Sequence, residues 1–142
     1  YRLYFHHGSL DGSAKCNVVP DMEEAAVWGA VYAIPPAEQP ALDRAENLGV
    51  GYTTETHTIV DQAGLARSAF CYVARTETID DAGLPFIWYR DIVLAGARHH
   101  GFPADYIACI ARQRAKADPD AARAAHHQAL LAQVAEPDPP GA

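Results

Sequence analysis

One carboxylate in this chain stands in a local setting suited to proton transfer. In Pro40-Ala-Leu-Asp-Arg-Ala-Glu46-Asn-Leu-Gly-Val-Gly-Tyr52, Pro40 fits a first helical turn, where its missing N–H costs nothing, and Gly49 and Gly51 permit the positive backbone angles that end a helix. Glu46 therefore falls near the close of a short helix, where the negative end of the dipole disfavours a carboxylate and raises its pKa. A carboxyl group tuned upward can take and return a proton near neutral pH. Taken alone, a helix-end glutamate is an ordinary surface group. Asp43, one turn earlier, reads as a helix-surface or structural carboxylate and not as a second catalytic acid.

Other reactive residue types are present without the spacing that chemistry needs. His6-His7, His99-His100 and His126-His127 are doublets, whose side chains point to opposite faces of a strand or lie about 100° apart on a helix, so a doublet is a poor chelate. No His-x-x-x-His or Cys-x-x-Cys pattern accompanies them, and no metal or other cofactor is expected. Cys16, Cys71 and Cys109 are widely spaced, compatible with a reducing cytoplasm, and Cys71 and Cys109 read as small buried hydrophobes, not nucleophiles.

The elements that must hold Glu46 follow from pattern. Tyr1 to His6 and Lys15 to Val19 read as strands joined across the turn residues Gly8 to Ser13. Ala25 to Ile34 is almost wholly apolar and predicts a central strand buried on both faces, ended by Pro35-Pro36. Gly29 inside it marks either close approach by a ligand or another backbone, or a bulge or a helix packed tightly overhead. Trp28 is assigned to packing. Tyr52 to Val60 and Leu65 to Arg75 predict a hairpin, with Tyr52, Thr54, Thr56 and Thr58 on one face. A helix is predicted from Phe86 to His100, with Tyr89, Ile92, Val93, Gly96 and Ala97 toward the core; Gly101 and Pro103 close it and open the next. Strands followed by helices indicate an α+β domain. It is expected to span residues 1–112, with 113–142 as an alanine-rich helix and a disordered proline-rich tail.

Composition narrows the function. With 142 residues, 49% apolar and 20% charged, the chain can bury a core without disulfides. A net charge of -7 without a basic stripe argues against nucleic acid and anionic lipid as partners, and no apolar run approaches a membrane span.

Leu42-Asp43-x-x-Glu46 with Tyr52 beyond it, Val27-Trp28-Gly29-Ala30-Val31-Tyr32 before it and Tyr89…Gly96-Ala97-x-x-x-Gly101-x-Pro103-x-x-Tyr106 after it together resemble the gamma-glutamylcyclotransferase family, of AIG2-like fold. The similarity runs in order from Tyr1 to Arg112. It implies a small, strongly curved antiparallel or mixed sheet or barrel with packed helices. It also implies cyclisation of a small-molecule gamma-glutamyl substrate to 5-oxoproline with release of an amine, without a metal. Glu46 would be the catalytic acid/base, and Tyr52, Tyr89 and Gly29 would bind substrate. An inactive binding or structural domain of the same fold is the alternative. Two departures accompany the resemblance. Asn47 stands where the family usually has glycine after the glutamate, so the local turn is expected to differ. The family's opening strand and Tyr-Gly-Ser-Asn loop, which hold the glutamyl head, are not recognised; with Tyr1 first and Met22 the only methionine, a chain incomplete at its amino end is expected.

Overall fold

The computed structural model describes residues 1–21 and 26–135, with no account of the side chains of residues 134 and 135. The expected disorder of residues 136–142 and the first residue of the expected central strand, Ala25, lie outside the described residues. The chain forms two compact units, Tyr1–Gly83 and Leu84–Ala142.

The first unit is built from two antiparallel hairpins and one short helix. Strand β1 (Arg2–Gly8) pairs with β2 (Ala14–Val19), with a register shift between Phe5 and His7. Their connection is a polar turn: Asp11 accepts from the Ser13 amide and hydroxyl and from Lys15 Nζ at 2.6 Å. Strand β3 (Tyr52–Val60) pairs with β4 (Ala66–Ala74) in an unbroken register from Tyr52 opposite Ala74 to Val60 opposite Ala66. Asp61 closes this second hairpin by accepting from the Ala63 and Leu65 amides, while Gly64 takes φ 78°, the left-handed angle that costs glycine little. Helix α1 (Gln39–Ala45) carries Pro40 in its first turn, as the sequence indicates.

The expected strongly curved sheet or barrel is not formed. The described strands make two separate two-stranded sheets, and neither closes or curls around the other. The reason lies at the seam. The Ala74 amide at the end of β4 donates to the side-chain oxygen of Asn17 on β2 (2.9 Å), so a side-chain amide fills the place of a ladder bond and the backbone pairing does not propagate. The outer side of β1 meets one isolated bridge, His7 with Ile79, and the Asp80 amide on the His6 carbonyl (2.7 Å). The expected central strand is not found among its described residues: residues 26–34 carry neither strand nor helix, and Trp28, assigned to packing, is 45% exposed. Apolar, β-branched composition favours a strand only where a partner backbone accepts its hydrogen bonds, and composition does not specify that partner.

The second unit is helical: α2 (Ile87–His99), α3 (Ala104–Arg112) and α4 (Ala121–Ala135). Phe86 at 1% and Trp88 at 7% exposure form its centre with Leu94, Ala97 and Ile110. The core stripe of α2 differs from the expected one: Trp88 and Leu94 are buried with Ala97, whereas Ile92 is exposed. Gly101, at φ 64°, ends α2, and the Phe102 amide bonds back to the Ala97 carbonyl. The alanine-rich α4 offers little apolar surface and is held by specific contacts instead. The His127 ring stacks on Trp88 at 3.8 Å between centroids. Asp118 accepts from Trp88 Nε1 (2.8 Å) and from two Arg123 nitrogens (2.7 and 2.6 Å), which hold its carboxyl well below the usual carboxylate range.

Candidate active site

Glu46 is the residue that terminates α1. Its amide bonds to the Leu42 carbonyl (2.9 Å), and its backbone (φ -81°, ψ 0°) leaves the helical region. The next residue, Asn47, adopts φ 53°, a left-handed angle that asparagine tolerates better than other non-glycine residues, so the turn is made there without glycine. The Leu48 amide then returns to the Asp43 carbonyl, the Val50 and Gly51 amides to the Asn47 carbonyl, and the Gly49 amide to the Tyr52 carbonyl. This wrapped turn joins the end of α1 to the start of β3.

Glu46 is half-buried, and burial pushes its carboxyl pKa up from 4.5. The direction matches the sequence expectation, and the cause the packed chain supplies is lost hydration on burial. Two phenols lie within its field. Tyr52 is raised by burial and then by the Glu46 charge, and its hydroxyl donates to the Cys16 carbonyl (3.2 Å). Tyr72 is pushed up to about 12 by burial, by the Asp43 carboxylate and by Glu46.

Asp43 is the centre of a second cluster on the same helix. The Tyr72 hydroxyl donates to its carboxylate at 2.6 Å and Gln39 Nε2 at 2.9 Å, while Gln39 also donates to the Tyr72 oxygen at 3.0 Å. The Tyr72 and Gln39 bonds hold the Asp43 carboxyl below its ordinary range, opposite to the shift at Glu46 three residues on. The two carboxylates thus differ in kind: Asp43 is committed as an acceptor, whereas Glu46 is poised nearer to proton exchange. An open concavity of about 300 Å³ at this helix end is lined by Asp43, Arg44, Asn47 and Leu48.

Of the residues singled out from sequence, Glu46 and Tyr52 fall in this region. Among the described residues, and apart from its two chain neighbours, no atom lies within 4 Å of the point where a side chain on Gly29 would begin. Tyr89 belongs to the second unit, half-buried and edge-on to Trp88. Tyr72 was missed. Its signal was available: pairing outward from the Asp61–Gly64 turn puts Tyr72 opposite Thr54, on the hairpin face shared with Tyr52. Among the described residues no group of three or more His, Cys, Asp and Glu side chains is arranged to hold a metal. His6 and His7 show how a doublet diverges: His6 turns to Asn17 and Asp81, and His7 to Thr78. No described helix is long and apolar enough to cross a membrane.

Residues 26–110 match the AIG2-like family, a span that includes α1, the Glu46 turn, both strands of the second hairpin, helix α2 and most of α3. The chain belongs to the AIG2-like family. No curated protein matches it. Among solved structures this AIG2-like chain is similar to an uncharacterized protein, loc79017, from Homo sapiens, with a TM-score of 0.76 and 17% identity over 92% of this chain and 78% of that one. It is also similar to a gamma-glutamyl cyclotransferase, with a TM-score of 0.58 and 15% identity over 70% of this chain and 57% of that one. Identities this low establish a shared fold and leave activity to be argued from the site.

Proposed function

We propose that this AIG2-like chain cyclises a gamma-glutamyl amine or peptide to 5-oxoproline, with Glu46 as the acid/base. The observation that carries the reading is a half-buried carboxyl, raised by burial, at the end of the helix that bears Leu42-Asp43-x-x-Glu46. The fold shared with a gamma-glutamyl cyclotransferase supports it.

The reaction asks little more than a positioned base. The substrate's α-ammonium first gives one proton to water. Its nitrogen then attacks the γ-carbonyl carbon as Glu46 takes a second proton, forming the ring C–N bond and a tetrahedral oxyanion. Collapse of that oxyanion breaks the original amide C–N bond while Glu46 returns its proton to the departing nitrogen. The released amine takes up a proton from water, and the carboxylate is regenerated. Proton transfer of this kind contributes about 10²–10⁴-fold in rate, and folding the glutamyl chain against its own carbonyl adds a proximity term.

The test is Glu46→Gln, which keeps shape and removes the base. Release of 5-oxoproline from a panel of gamma-glutamyl compounds should fall by about 10²–10⁴-fold while substrate affinity stays close to that of the parent. Retention of more than about a hundredth of the activity rules Glu46 out as the base. Free glutamate as the product, in place of 5-oxoproline, would mean that Glu46 activates water instead.

A further inference from the structure

The mechanism leaves unused a buried imidazole in the first unit. His7 is 6% exposed and touches the Glu46–Tyr52 turn from beneath. Its Cε1 and Nε2 atoms lie 3.2 and 3.3 Å from the position a Cβ on Gly51 would take, and its ring lies 4.1 Å from the Tyr52 ring, centroid to centroid. Its Nδ1 is 2.9 Å from Thr78 Oγ1.

The hydroxyl settles which atom carries the proton. Thr78 Oγ1 lies 2.8 Å from the Arg75 carbonyl and 3.2 Å from the Gly51 carbonyl, and carbonyl oxygens only accept. The single hydroxyl proton is therefore directed at those carbonyls. Only a lone pair of Thr78 remains for His7, so His7 Nδ1 must donate. The Gly51 carbonyl also accepts from the Arg75 amide at 3.1 Å. A chain of bonds thus runs from the imidazole through a hydroxyl to the backbone of the turn, and the absent side chain at Gly51 makes room for the ring.

We propose that His7, as its Nδ1–H tautomer, is a positioning residue: through Thr78 and its packing on Gly51 and Tyr52 it fixes the turn between Glu46 and β3, and so the direction of the Glu46 carboxyl. The imidazole touches no reacting atom in this role. Burial, followed by the charges of Lys15 and His6, lowers the His7 pKa, which agrees with a neutral ring carrying one N–H. The catalytic consequence rests on the reading of Glu46 as the acid/base, whereas the structural consequence does not.

Four measurements test the proposal on the full chain. Nitrogen-15 NMR of the parent should show His7 protonated at Nδ1 and bare at Nε2. Thr78→Val should raise amide exchange at Val50 and Gly51 by about tenfold or more and return the carbon-13 titration of the Glu46 carboxyl toward its ordinary range. In 5-oxoproline release it should lower kcat by about 10–100-fold with KM little changed, and Thr78→Ser, which keeps the hydroxyl, should recover most of that loss. An Nε2–H tautomer in the parent overturns the proposal, and so does a folded Thr78→Val chain with unaltered exchange and Glu46 titration. If Thr78→Val does not fold, the parent tautomer and the exchange of the Thr78→Ser chain decide. A parent inactive on every gamma-glutamyl compound refutes the functional reading, while the tautomer, exchange and titration still judge His7.

Discussion

Gly51→Ala should destabilise the first unit because of His7, and the size of the effect follows from the geometry. Gly51 is buried and its backbone is not in the left-handed region, so alanine meets no conformational strain there. The added methyl would meet the His7 ring at 3.2 and 3.3 Å, inside ordinary van der Waals separation by a few tenths of an ångström. The ring cannot easily yield, since the Tyr52 ring packs against it and its Nδ1 is bonded to Thr78. Overpacking of this kind costs about 1–3 kcal/mol. In a His7→Ala background the obstruction is gone, and Gly51→Ala should become neutral or stabilising by up to about 1 kcal/mol, through reduced freedom of the unfolded chain. Urea unfolding of the four chains in this double-mutant cycle, with unchanged m-values, measures the difference. An equal penalty for Gly51→Ala in both backgrounds would refute the packing argument.

Three further outcomes are expected. Glu46→Gln should stabilise the fold at neutral pH: a raised folded-state pKa contributes stability that is full below the ordinary value of 4.5 and is lost as pH rises through the folded value, so the parent's disadvantage should vanish in acid unfolding experiments. Trp88→Ala should cost about 3–5 kcal/mol by chemical denaturation. Trp28→Ala, at a 45% exposed side chain, should cost much less, and the reverse ranking would contradict the described packing. Asp118→Asn should lower the thermal stability of the helical unit at neutral pH; because the folded-state pKa of Asp118 is depressed, the gap to the parent should close as pH falls through the carboxylate range.

Local chemistry along the chain was enough to determine much of this protein. The turn at Asp61–Gly64, the helix break at Gly101 and the placement of Glu46 at the end of α1 depend on hydrogen bonds that close within a few positions, and the hairpin of β3 and β4 pairs outward from that turn. What failed were statements about distant partners. Residues 26–34 have the composition of a central strand, but a strand exists only in pairing with another, and the described structure gives this segment none. The same limit explains the missing barrel, since one side-chain amide on Asn17 takes the Ala74 N–H at the seam where two hairpins would have to join. Tertiary structure alone brought Tyr72 to Asp43 across 29 positions and His7 to Thr78 across 71. It also supplied the cause of the Glu46 shift: helix position is written in the sequence, whereas burial is a property of the packed chain.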